Sequence, residues 1–175
     1  MKLICNKKRI IDYLIYLSII VAGIVFDQLT KLLAVEFLKG KPSVNIIGSF
    51  LRLSYVENTG MAFGMMKNSR WIFMSVSCIA IAAMLVYLVI AKNQPKLYTV
   101  AISIIASGGI GNMIDRIALG YVIDFVDVKY FAVFNGADSL VCIGAGLLIL
   151  ALVLDIIKES RKLKEEKSCK EEKSE

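Results

Sequence analysis

Four apolar runs, residues 11–35, 71–91, 97–114 and 135–157, dominate the chain. Each is near or above the length that crosses a bilayer as a helix, about 20 residues. A soluble domain of 175 residues rarely carries 57% hydrophobic residues or a mean hydropathy of +0.68. Four spans leave little chain over. The expected architecture is one mainly α, integral membrane domain over residues 1–157. A charged tail, 158–175, is expected to continue the last helix and to end in disorder.

The first run follows Lys7, Lys8 and Arg9, so a cleavable leader competes with a span there. A leader's apolar stretch is only about 7–15 residues long and ends at small residues. Here it continues through Phe26, Leu29, Leu32 and Leu33, which favours an uncleaved first span. Basic residues near the spans set orientation. Lys2, Lys7, Lys8 and Arg9 precede the first run, Lys92 and Lys96 bracket the second connection, and seven basic residues lie in the tail from Lys158. An even span count puts both termini on one side, expected to be the cytoplasm, and turns segments 36–70 and 116–134 outward. The net charge of +6 then suits anionic lipid headgroups. No basic patch is interleaved with aromatics, so no nucleic-acid partner is expected.

The chain has four cysteines without a C-x-x-C, and no histidine. Zinc sites draw on clustered Cys and His, and Ser or Cys nucleophiles commonly use a histidine base. Both chemistries are disfavoured, and neither a metal nor a cofactor is expected. The cysteines read as small apolar fillers.

The first outward segment is more than a connection. SVNIIGSFLRLSYVEN is rich in β-branched and aromatic residues, with Gly48-Ser49 as a turn and partial alternation from Phe50 to Val56, so short strands are expected. NTGMAFG follows, and its two glycines suit a sharp turn. The stretch from Gly120 to Val128 again reads as extended. These pieces predict a small extracytoplasmic β element resting on four transmembrane helices.

Polar residues inside or beside the spans carry the candidate chemistry. In D-Q-L-T-K, Asp27 and Lys31 share a helix face at i,i+4. A charge at mid-bilayer costs about 2.5–3.5 kcal/mol, so the pair is either functional or interfacial with Lys31 snorkelling outward. In S-G-G-I-G-N-M-I-D-R, Gly108, Gly109 and Gly111 admit a close helix neighbour. Asn112 and Arg116 lie one turn apart, and Asp115 adjoins Arg116; helix packing with an interfacial Asp–Arg pair is the plainer alternative. In F-N-G-A-D-S, Asn135 is a natural N-cap, with Asp138 three residues on in a position that also suits the helix dipole. Asp124 and Asp127 are three apart on a predicted strand and face opposite sides, and pattern alone does not choose between them.

Two carboxylates converging in a partly desolvated place cannot both ionise, so the pair holds one proton. One then serves as a base for water and the other as an acid, and amide hydrolysis needs neither histidine nor metal.

Taken in order, D-Q-x-x-K, N-x-G-x-A-F-G, G-N-x-x-D-R, V-x-D-F and F-N-x-A-D resemble lipoprotein signal peptidase (signal peptidase II), a bacterial membrane aspartic peptidase. The resemblance spans roughly residues 11–157. It implies cleavage of the signal peptide from lipid-modified prolipoproteins just before a diacylglyceryl cysteine, at the outer face of the bacterial cytoplasmic membrane. Mapped onto matching positions, it implies Asp124 and Asp138 as the catalytic pair and leaves Asp127 at the surface. Asp27, Lys31, Asn58, Gly60, Asn112, Arg116 and Asn135 match residues that bind substrate or support the site. The implied partners are the prolipoprotein and membrane lipid, and one chain supplies every part, so a monomer is expected. The outer β element and the turn 58–64 are candidate walls or lids. Met61 stands where the family has a small residue, and Ser107-Gly108-Gly109 where it runs G-G-A; both departures concern packing or substrate preference. Two other classes compete, a proton-coupled transporter lined by Asp27, Lys31, Asp115 and Arg116, and a scaffold whose polar residues only join helices. The transporter would need charges through the full membrane depth, and no internal repeat is evident.

Overall fold

A computed structural model describes residues 2–60, 69–90 and 94–172. In chain order it comprises α1 (Lys2–Leu38), β1 (Val44–Ile47), β2 (Leu51–Asn58), α2 (Ser69–Ile90), α3 (Lys96–Ala118), β3 (Val122–Val128) and α4 (Gly136–Glu172). Met61 to Gly64, the second half of the expected turn, and Lys92 lie outside the described residues. Three stretches are long and apolar enough to cross a membrane: Arg9–Leu38, Lys96–Ala118 and Gly136–Glu165. The 22-residue α2 is apolar over Met74–Ile90. The helices carry their apolar residues outward. Leu14, Leu17, Leu29 and Leu32 on α1 and Ile149 and Ile156 on α4 are exposed, whereas Asp27, Lys31, Asn112 and Asp115 are buried. That inversion fits a lipid surround, where apolar side chains face hydrocarbon and polar ones turn to the bundle interior.

α3 is the central helix, touching each of the other three. Its glycines make this possible. A Cβ at Gly108 would overlap the backbone of Ala137 in α4, and one at Gly111 would overlap the Asp27 carboxylate of α1. On α1 the buried positions Ile20, Gly23, Asp27, Lys31, Ala34 and Leu38 recur every three or four residues, so one helix face carries both an apolar stripe and the charged pair.

The three strands form one antiparallel sheet in the order β1-β2-β3. A turn over Gly48 to Phe50 joins the first two; Gly48 has φ +51°, a conformation that costs a glycine little. β2 pairs with β3 from Leu51 opposite Val128 to Asn58 opposite Val122, with an irregularity between Leu53 and Val56. The sheet seats on the C-terminal turns of α1: Ala34, Leu38 and Ile123 are buried together, with Leu53, Tyr55, Tyr121 and Phe125 packed around them. After β3 the chain folds back on itself. Phe134 N–H donates to Val126 O at 3.0 Å, and Phe134 O accepts from Phe125 N–H at 3.0 Å and Val126 N–H at 2.8 Å. This return brings the start of α4 beside the middle of β3. Through the charged tail α4 stays helical to Glu172, as a run rich in Glu, Lys and Arg permits.

Candidate active site

Asp124 lies on β3 among buried neighbours, 2% exposed. Val122, Ile123 and Asp124 are all buried, because one face of this half of β3 meets α1 and the other meets the start of α4. Asp127, further along the strand, pairs instead with Arg52 of β2 at 2.6 Å, its cross-strand partner in the register. The two aspartates, indistinguishable by pattern, are thereby separated: one enters the interior network and the other a half-exposed ion pair.

Asp124 accepts two hydrogen bonds, from Asn58 Nδ2 to Oδ2 at 2.8 Å and from Asn135 Nδ2 to Oδ1 at 2.6 Å. Asn135 Nδ2 also donates to Asn112 Oδ1 at 3.1 Å, and Asn112 Nδ2 donates to Asp138 Oδ1 at 2.8 Å. Asp124 and Asp138 are therefore the two ends of one chain of amides. Burial pushes the Asp124 carboxyl above its ordinary range; the Asn58 and Asn135 donors pull it back, the Asp138 charge pushes it up again, and the Lys31 ammonium opposes this.

Asp138 caps α4 and also joins the amide chain. Asn135 and Asp138 form a reciprocal cap at the N-terminus of α4: Asp138 N–H donates to Asn135 Oδ1 at 3.0 Å and Asn135 N–H to Asp138 Oδ2 at 3.3 Å. The cap leaves Asp138 Oδ1 turned to Asn112. Asn58 is held in turn by Gly60, whose N–H donates to Asn58 Oδ1 at 2.8 Å with Gly60 at φ +75°.

Behind these amides lies a cluster of charges. Lys31 is 2% exposed and does not snorkel, so the interfacial alternative for this pair fails. Its Nζ lies 2.8 Å from Asp27 Oδ2, 2.9 Å from Asp115 Oδ2 and 2.9 Å from Asn112 Oδ1. Gln28 Nε2 donates to Asp115 Oδ1 at 3.1 Å and Asp27 Oδ2 at 3.2 Å. The sequence does not single out Gln28, and it marks Asp115 only as a neighbour of Arg116 or a transporter residue, although both lie inside the quoted motifs. Asp115 sits three residues after Asn112 and four after Gly111, hence on their helix face, and that spacing was the available signal. Its ion pair is with Lys31 on another helix, where the plainer alternative had Arg116. The Arg116 guanidinium donates to Asn112 O, one turn back, at 3.4 Å.

Such a site, with two carboxylates joined by amides and backed by a buried ammonium at the junction of helices and sheet, has the parts for acid–base work on a polar bond. Comparison with known proteins names a family for it. The family model for signal peptidase (SPase) II matches residues 19–154. The lipoprotein signal peptidase of Clostridium tetani is 41% identical over 150 residues, covering 83% of this chain and 96% of that one. That of Symbiobacterium thermophilum is 44% identical over 144 residues, covering 79% and 95%. The fold superposes on two solved structures of a bacterial membrane enzyme obtained by the in meso method, at 2.3 and 1.9 Å resolution, with TM-scores of 0.70 and 0.71. Identity to both is 33%, over 81% and 78% of this chain and 88% and 91% of theirs. The chain belongs to the signal peptidase II family, the membrane proteases that remove signal peptides from prolipoproteins.

Proposed function

We propose that this protein is an aspartic endopeptidase that cuts prolipoproteins just before a diacylglyceryl-modified cysteine, with water activated between Asp124 and Asp138. The carrying observation is the amide chain that ties the two carboxylates together, Asp124 to Asn135 to Asn112 to Asp138. Burial and the Asp138 charge both raise the Asp124 carboxyl, so the pair holds one proton. The ionised member takes a proton from water as its oxygen attacks the scissile carbonyl carbon. The protonated member donates its proton to the carbonyl oxygen, giving a neutral tetrahedral diol. Collapse of the diol expels the amine, which leaves with the proton first taken from water, and the carbonyl oxygen's proton returns to the dyad. Asn58, Asn112, Asn135 and Arg116 orient the peptide, with Gly60 holding Asn58. Proximity and alignment of this kind contribute more here than added charge. No metal or cofactor takes part.

Substrate enters laterally from the bilayer, its lipid chains along the helices and its signal helix among the spans. The site then lies at the outer face of the cytoplasmic membrane, with both chain termini in the cytoplasm and one chain sufficient for catalysis. Purified full-length protein carrying Asp124→Asn or Asp138→Asn, at equal abundance and with a melting transition like the parent's, is expected to lose about 10³-fold in cleavage of a diacylated prolipoprotein. Asp127→Asn is expected to cleave near the parent rate. Parent-level processing by Asp138→Asn would refute the pairing.

A further inference from the structure

The two carboxylates that flank Lys31 have a second pair of contacts. Asp115 Oδ2 accepts the backbone N–H of Ile123 at 3.1 Å, and Asp27 Oδ1 accepts the backbone N–H of Ala137 at 2.8 Å. Ile123 is the residue immediately before Asp124, and Ala137 the residue immediately before Asp138. Each buried carboxylate therefore grips the backbone N–H of the residue that precedes one member of the dyad, and the ammonium between them joins the two grips across 2.8 and 2.9 Å.

We propose that Asp27, Lys31 and Asp115 form a positioning cluster that sets the separation and hydrogen-bond polarity of the Asp124–Asp138 pair. The inference rests on the assignment of that pair as the catalytic dyad. Polarity follows from the chemistry of the groups. An ammonium only donates, so Asn112 must turn Oδ1 toward Lys31, and its Nδ2 then has to face Asp138. The same Oδ1 accepts from Asn135, which leaves the other Asn135 proton for Asp124. Reversing Asn112 would set a donor against Lys31 and an acceptor against Asp138, breaking three contacts at once.

The charge balance matters as well. Asp27 on α1 and Asp115 on α3 face Lys31 directly, Arg116 follows Asp115 on the same helix, and Asp124 on β3 and Asp138 on α4 lie one or two amides away. Removing the ammonium leaves two buried carboxylates unneutralised and withdraws a positive charge from the dyad. A buried pair broken on one side is strongly destabilised, which is why a single substitution needs a partner that restores balance. In Lys31→Met/Asp115→Asn the cluster keeps one net negative charge, and the asparagine oxygen still accepts from Ile123.

The test is steady-state cleavage of a synthetic diacylated peptide by the purified full-length protein in detergent micelles, from pH 4.5 to 8.5, with thermal melting of every variant. The paired variant is expected to fold and to keep KM within about twofold of the parent. Its kcat is expected to fall about 10²-fold, as a misplacement near 1 Å would produce. The acidic limb of its kcat profile is expected to move up, because Lys31 reaches the dyad through Asn112 and the neutralised Asp115 carboxylate does not. Lys31→Arg, which keeps the charge but not the point geometry, should retain the parent pH profile with reduced kcat. A folded paired variant with parent kcat and parent profile overturns the proposal, as does one whose loss lies wholly in KM. Asp124→Asn and Asp138→Asn are measured alongside. Activity surviving in those two overturns the dyad, whereas their inactivity with an unaffected paired variant overturns only the positioning role.

Discussion

At the scale of residues, the buried Asp124 couples stability to pH. Burial raises its pKa, so folding favours the protonated form. The folded state then binds more protons than the unfolded one between the two pKa values, and stability falls as pH rises. The contribution is fully present below the unfolded value, near 3.8, and is lost as pH rises through the higher folded value. The melting temperature of the parent is therefore expected to drop with rising pH more steeply than that of Asp124→Asn, which cannot ionise; parallel curves in a pH series of melts would contradict this. Asp127 contributes far less. Its partner Arg52 is 41% exposed along the side chain, and a half-exposed pair is worth about 1 kcal/mol or less. Asp127→Asn should lower stability by no more than that in a denaturation titration.

At the scale of elements, the glycines of α3 decide how close the helices come. The three atoms nearest a Cβ at Gly111 all belong to Asp27. Gly111→Ala is expected to displace that carboxylate, costing about 1–3 kcal/mol in overpacking and lowering cleavage about tenfold or more. Gly146 on α4 has nothing within 4 Å of its would-be Cβ. Gly146→Ala should therefore leave activity unchanged and raise the melting temperature slightly, so the pair of variants separates close approach from helix propensity. The cap of α4 is a second element-scale device. Asn135→Ala should cost about 1 kcal/mol as a cap and more in rate, because the same side chain bridges Asp124 to Asn112; a melt and a kcat measured on one preparation would show the two effects together.

At the scale of the whole molecule, topology is open to direct test. The orientation proposed above puts both termini in the cytoplasm, so a membrane-impermeant maleimide applied to intact spheroplasts should label Lys41→Cys, in the exposed connection after α1, and spare Cys5 and Cys169 until the membrane is broken. Labelling of Cys5 in sealed cells would reverse the orientation. The helices and strands were legible in the sequence because each is announced locally: apolar length announces α1, α3 and α4, and β-branched alternation announces β2. The Asp27–Lys31 pair was legible for the same reason, as an i,i+4 contact within one helix. The choice of Asp124 over Asp127 was not legible from pattern, since it depends on the return of Phe134 onto Val126, which carries Asn135 to one aspartate and leaves Arg52 to the other. Nor was the second partner of Lys31, Asp115, which is 84 residues away along the chain (115 minus 31) and reaches it only because Gly111 lets α1 and α3 close. By itself the sequence determined which segments enter the bilayer and which polar residues they carry there, because hydrophobic length and helix period act over a few turns. Only the tertiary structure decided which of those polar groups meet, because a buried charge takes its partner from whichever helix or strand the packing brings within about 3 Å.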